Sequence, residues 1–253
     1  MTTTNRPAPR VLTVLSTKQV SPNMRRITLG GAGLIGFPFG QQGAYVKLRL
    51  PLPDGKIAVR TYTIRAQRKD ALDIDFALHA ETASGHAGPA TEWALSVQPG
   101  ATIEVGGPGP AKPLPEGRDA YLIAGDMTAL PAIAVNLAAL PADAQGHAVI
   151  EVMGEGDRID LPRPAGVTLD YLVAPQPGLQ PQALAEALAA RAWPQGDVYA
   201  WAACEFSGMK ALRSLLRDER GLGPDSLYIS SYWKSGLNED AHKIAKREDA
   251  QGQ

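Results

Sequence analysis

Residues 106–117 read Gly-Gly-Pro-Gly-Pro-Ala-Lys-Pro-Leu-Pro-Glu-Gly. No other segment limits the fold of this chain as sharply. A run so dense in glycine and proline suits neither a helix nor the interior of a sheet. It reads as the end of one domain and a stiff linker to the next. The texture differs on its two sides. Before it come short alternating runs at 11–15, 24–29, 45–50, 59–65, 72–78 and 102–105. They are separated by turn signals such as Ser21-Pro22-Asn23, Pro53-Asp54-Gly55 and Pro99-Gly100. Six evenly spaced strands predict a small antiparallel barrel or sandwich. After it, apolar strands at 121–124, 147–153, 168–174, 197–203 and 227–231 alternate with helices at 129–140, 181–192 and 206–219. That alternation predicts a parallel sheet covered on both faces. The expected organisation is two domains, residues 1–113 and 119–253, a β domain followed by an α/β domain.

Composition removes several classes of function. A net charge of -1 leaves no basic excess to track nucleic-acid phosphates. The single cysteine, Cys204, excludes an intrachain disulfide and any cysteine-based zinc or iron–sulfur site. Residues 1–10 are polar and lack the apolar core of a signal peptide. No run of about 18 apolar residues is present, so no membrane span is expected. The default expectation is a soluble, cytoplasmic protein.

Within the β domain, Arg60-Thr-Tyr-Thr-Ile-Arg65 alternates as a strand. Thr61, Thr63 and Arg65 point one way, and Arg60, Tyr62 and Ile64 the other. A charge beside a flat aromatic suits a ligand with both a phosphate and a ring, because a guanidinium clamps phosphate oxygens with parallel donors. Alternating strands with one polar side are also common in proteins that bind nothing there. The segment Gly85-His-Ala-Gly-Pro-Ala-Thr-Glu-Trp93 predicts a helix with Pro89 in its first position. Its start offers backbone N–H groups to an anion; a plain connecting helix has the same signature. In the α/β domain two strand ends stand out, Ala124-Gly-Asp-Met-Thr-Ala-Leu-Pro131 and Ala203-Cys-Glu-Phe-Ser207. Ligands of open parallel sheets sit beyond such ends. An aromatic pair and a lysine, Tyr232-Trp-Lys234, lead into a charged, helical tail.

These stretches, with His79 and Glu239-Asp240, together resemble the siderophore-interacting protein family, the flavin-dependent ferric-siderophore reductases. The resemblance runs from about residue 11 to 247. It implies a six-stranded antiparallel FAD-binding barrel followed by a nicotinamide-binding-like α/β domain. It implies FAD held by Arg60 at the pyrophosphate and Tyr62 at the ring, with Thr63 near the reactive edge. His79 would close the strand lining the flavin. Gly88, Pro89 and Ala90 would present the helix start to the phosphate, with Trp93 near the adenine or in the core. Gly125, Asp126 and Thr128, with Glu205 across from them, would face NADH or NADPH. Cys204 stands where glycine is usual, which leaves ferredoxin as an alternative donor.

The implied substrate is a ferric siderophore, often anionic, met by basic residues. Lys47 matches one such position, and Lys234 stands where arginine is frequent. The family's Gly-Pro-Arg-Gly is here Gly107-Pro108-Gly109-Pro110, with Lys112 as the replacement. No side chain is assigned a covalent catalytic role and none a metal-ligand role. Two other functions fit the same sequence, a general flavin or ferredoxin reductase and a siderophore-binding protein that does not reduce.

Overall fold

The structure, a computed structural model, describes residues 8–78, 88–237 and 239–251. It divides into two compact units. The first is built on β1 (Arg10–Ser21), β2 (Met24–Gly30), β3 (Tyr45–Pro51), β4 (Ile57–Gln67), β5 (Ala71–Ala77), α1 (Pro89–Ser96) and β6 (Thr102–Gly109). The strands close into a barrel in the order β1-β2-β5-β4-β3-β6. Of the two architectures expected, barrel and sandwich, the barrel forms. All its pairings are antiparallel, and β1 meets β6 from Arg10↔Val105 to Thr13↔Thr102. Alternation places Leu12, Val14, Ile27, Leu29, Val46, Leu48, Ile74 and Phe76 in the interior. Closure removes the sheet edges that an open sheet of this size would expose.

The linker expected at 106–117 is corrected at its start. Residues 106–109 extend β6 and pair with β3, Lys47↔Gly106 and Tyr45↔Gly109, across an irregularity in the register. Glycine makes this feasible. A Cβ on Gly109 would lie 2.0 Å from the Tyr45 Cζ, so the Tyr45 ring occupies the space a side chain would need. Pro108 sits at the irregularity, where proline is tolerated in a sheet.

The second unit carries β7 (Ala120–Asp126), α2 (Leu130–Ala139), β8 (Gly146–Val152), β9 (Val167–Val173), α3 (Ala183–Ala189), β10 (Val198–Glu205), α4 (Phe206–Arg213), β11 (Leu227–Trp233) and α5 (Glu239–Gln251). Its sheet runs β11-β10-β7-β8-β9, and every pairing is parallel. β7 is central and buried along its whole length, which accounts for its unbroken apolar sequence. The helix expected over 206–219 is α4 followed by a π-helical stretch, Ser214–Glu219. The charged tail forms α5, joined to the unit by polar contacts and by Ala245, which packs against the apolar core. Arg213 pairs with Asp249 (2.6 and 2.9 Å), the His242 Nε2 lies 2.8 Å from the Ser231 Oγ, and Lys246 donates to the Ser230 Oγ and the Ser231 carbonyl (2.9 and 3.0 Å).

Candidate functional site

In the barrel, β4 lies against β3 with Leu48↔Arg60, Val46↔Tyr62 and Tyr45↔Thr63 in register. Val46 and Leu48 are fully buried, so Arg60 and Tyr62 share the inward face and Thr61 and Thr63 the outward one. The register with β5 begins only at Ile64↔Ile74. Beyond that point Tyr62 leans on Phe76, with ring centroids 4.3 Å apart, and Phe76 meets Trp93 of α1 at 5.6 Å. Trp93 thus packs toward the core through Phe76. Arg60 is half-buried. Its guanidinium makes one hydrogen bond, to the neighbouring Val59 carbonyl (3.0 Å), and no ion pair with any described residue. Arg25, opposite Phe76 across the β2–β5 ladder, is comparable: its Nη2 donates to the Thr17 Oγ1, and its buried Nε has no partner among the described residues.

Helix α1 begins at Pro89, with Gly88 as the N-cap residue and no side chain capping it among the described residues. Its first turn therefore leaves backbone donors without a side-chain acceptor. Underused guanidinium donors, an uncapped helix start and a braced aromatic are groups that fit a dinucleotide with a flat ring. Lys47 is half-buried and lies opposite Thr61, on the outward face that also bears Thr63. Lys112 is exposed just past β6. His79 lies outside the described residues.

In the second unit, the carboxyl ends of three strands carry Asp126, Glu151 and Glu205, all buried. The Asp126 Oδ1 accepts from the Thr128 N (2.9 Å) and Oγ1 (2.5 Å), and its Oδ2 accepts from the Glu205 N (2.9 Å) and the Trp233 Nε1 (2.7 Å). Four donors meet one carboxylate, tying β7 to the ends of β10 and β11. Burial pushes the Asp126 carboxyl up, against the pull of those donors. Glu205 caps α4. Its Oε2 accepts from the Ser207 and Gly208 N–H groups (2.5 and 3.3 Å), and its Oε1 from the Ser235 N (3.1 Å). The helix start that would receive a phosphate is thereby occupied by the chain's own carboxylate.

Thr128, Asp126 and Glu205 are therefore brought together, as the sequence suggested. Gly125 serves packing: a Cβ there would lie 2.7 Å from the Ala203 carbonyl oxygen and 2.8 Å from the Ile133 Cδ1. The Lys234 ammonium stands 4.4 Å from the centre of the Phe206 ring. Two residues escaped the sequence reading. Trp233 was visible only as half of an aromatic pair. Glu151 ends β8 and was findable from the rule that ligands gather at carboxyl ends of strands. Its carboxyl is pushed up to about 7, by burial first and by the charge of Asp126 second. Burial also raises the Cys204 thiol well above its ordinary range, so Cys204 is a small apolar residue of the core.

Two family models cover most of the chain. The model for the siderophore-interacting FAD-binding domain matches residues 13–59 and 54–112, and the siderophore-interacting protein model matches residues 118–236. The chain belongs to the siderophore-interacting protein family. Within this family it is similar to the ferric vibriobactin reductase ViuB of Vibrio cholerae, 36% identical over 256 residues that cover 92% of each protein. It is similar in structure to the siderophore-interacting protein SipS from Aeromonas hydrophila, with a TM-score of 0.84 and 35% identity over 97% of this chain and 99% of the other. A siderophore utilization protein from T. fusca gives a TM-score of 0.82 and 32% identity over 92% and 96% of the two chains. Siderophore-interacting proteins thus share both the barrel and the parallel sheet seen here. Among the described residues no helix is long and apolar enough to cross a membrane.

Proposed function

We propose that the chain is an FAD-dependent ferric-siderophore reductase that acts in the cytoplasm and draws its electrons from NADH, NADPH or a ferredoxin. The observation that carries the reading is Arg60, a half-buried guanidinium without a carboxylate partner among the described residues, on the strand that also bears Tyr62. A cation in that position is stabilised by a bound anion. The name of the relative ViuB, a ferric vibriobactin reductase, supports the acceptor.

In this reading Arg60 holds the pyrophosphate of FAD, and the uncapped start of α1, at Gly88, Pro89 and Ala90, donates to it. Tyr62, braced from behind by Phe76, fixes the plane of the ring. Thr63 faces outward beside Lys47. Bound FAD accepts two electrons together and passes them on singly, which matches a nicotinamide donor to an iron(III) acceptor. Siderophore oxygens are hard ligands that hold iron(III) better than iron(II), so one electron per iron loosens the chelate. The chain breaks no covalent bond. Lys47, Lys112 and Lys234 attract the anionic chelate, and Thr128 contributes to the donor site. Asp126 and Glu205 hold the ends of β7, β10 and β11 in place for that site.

The test is an absorbance spectrum of the purified protein, followed by anaerobic reduction with NADH, NADPH or reduced ferredoxin and addition of a ferric siderophore. The expected result is a flavin spectrum that bleaches with one donor and returns on adding the chelate. Protein that takes up no FAD sinks the reading. A spectrum restored by free flavin or ferredoxin but not by the chelate makes the protein a general flavin or ferredoxin reductase.

A further inference from the structure

The nicotinamide cofactor implied for the second unit does not fit the residues at the carboxyl ends of its strands. A dinucleotide binds a sheet of this kind through its pyrophosphate, which takes N–H groups at a helix start. Two helices start there, α2 after β7 and α4 after β10. At α2 the Thr128 N and Oγ1 both donate to the Asp126 Oδ1 (2.9 and 2.5 Å), and the Ala129 N donates to the Asp126 carbonyl (3.0 Å). Pro131, in the first turn, brings no N–H at all. At α4 the Ser207 and Gly208 N–H groups donate to the Glu205 Oε2. Both starts spend these donors on oxygens of the chain itself.

The Glu205 carboxylate is also held from outside its helix. The Ser235 N donates to its Oε1 (3.1 Å). Gly178 brings a further segment against it: a Cβ there would lie 3.1 Å from the Glu205 Cγ and 3.4 Å from the Trp233 Cη2, and its φ of +81° suits glycine. Trp233 is tied in turn to Asp126 through its Nε1 (2.7 Å). Charge acts in the same direction. Asp126, Glu151 and Glu205 are all buried at this end, and the charges of Asp126 and Glu205 both raise the Glu151 carboxyl. The negative charges of an entering pyrophosphate would meet like charges in a site of low dielectric.

We propose that Glu205 sets the choice of electron donor: its carboxylate holds the seat of a dinucleotide's pyrophosphate, so NADH and NADPH bind weakly and a ferredoxin-type protein carrier is the donor. The inference rests on the reductase reading above and selects among its donors. A protein carrier needs no pyrophosphate seat. Two reduced carriers, each oxidised by one electron, supply the two electrons that one nicotinamide would give as hydride, and these reduce two iron(III) to two iron(II).

The test uses FAD-loaded wild type, Glu205→Ala and Glu205→Gln. ADP-ribose, which carries the pyrophosphate without the nicotinamide, is titrated into each by calorimetry. Anaerobic reduction of the flavin is then timed with NADH, NADPH and reduced ferredoxin. Wild type is expected to bind ADP-ribose weakly and to be reduced faster by ferredoxin than by either nicotinamide at equal concentration. Glu205→Ala frees the α4 start and should bind ADP-ribose and NADH tighter by about tenfold, the order of a helix cap converted into affinity. Glu205→Gln keeps a cap without the charge and should fall between the two; it decides alone if Glu205→Ala does not fold. Unchanged or weaker ADP-ribose binding in the variants overturns the proposal, because a cap that only supports the helix does not compete with a pyrophosphate. Wild type reduced faster by NADH or NADPH than by ferredoxin also overturns it, while the reductase reading stands. Protein that takes up no FAD overturns both.

Discussion

Glu151 gives the folded chain a proton that the unfolded chain does not keep. It lies opposite Asp126 across the β7–β8 ladder and is buried. Its carboxyl moves from an ordinary 4.5 to about 7. Between those two values the unfolded state has released the proton and the folded state still holds it. Stability must therefore fall as pH rises through that window, and it levels off above about pH 7. A gap of about 2.5 pH units at about 1.4 kcal/mol each comes to about 3 kcal/mol. Glu151→Gln removes the titration and keeps an acceptor for the Gly178 N–H that Glu151 uses. The assay is urea unfolding followed by tryptophan fluorescence, since Trp193, Trp201 and Trp233 all lie in the unit that holds Glu151. At pH 5 the two proteins should be nearly equally stable. At pH 8 the variant should be more stable by about 3 kcal/mol, or roughly 6–12 °C in melting temperature. The difference between the proteins cancels the titrating groups that do not interact with Glu151 and keeps its coupling to Asp126 and Glu205. Parallel stability curves from pH 5 to 8 would refute the reasoning.

The other predictions concern ligands and one cap. Arg60→Ala should weaken FAD binding by about ten- to hundredfold, the loss of a charge-assisted contact, measured by titrating flavin-free protein. Lys47→Ala and Lys234→Ala should each raise KM for an anionic ferric chelate by about two- to fivefold while leaving KM for the electron donor unchanged; steady-state kinetics with both substrates varied decides this. Glu205→Ala uncaps α4 and should destabilise the second unit by about 1 kcal/mol, read from the same fluorescence transition. An unchanged midpoint would mean that Ser207 and Gly208 find another acceptor.

Element types and their order were largely legible, because a two-residue period and unbroken apolar runs report directly on which faces are covered. The barrel's last strand was not. Residues 106–109 look unfit for a sheet, and they pair because Tyr45, distant in sequence, fills the space over Gly109. The site split in the same manner. Arg60, Tyr62, Thr128 and Glu205 belong to short motifs, so the sequence alone singles them out as candidates. Arg65 reads as one more residue of an alternating strand, and only the pairing with β5 reveals a bulge there. Asp126 and Glu205 were expected to face a ligand, yet their oxygens accept from Thr128, Trp233, Ser207 and Ser235. Such bonds depend on three strand ends meeting, which no local pattern encodes.

The attachment of α5 sets how the end of the chain answers to solvent. Its bonds run through Asp249, His242 and Lys246, while Ile244 is turned outward and 56% exposed. The Arg213–Asp249 pair in that mooring is largely buried, so sodium chloride screens it weakly, and α5 is released by local opening at the chain's end and not by salt. On mild heating α5 should peel away as a separate cooperative piece while β7 to β11 stay folded. Trypsin would then cut at Lys243, Lys246 and Arg247 long before it reaches the sheet.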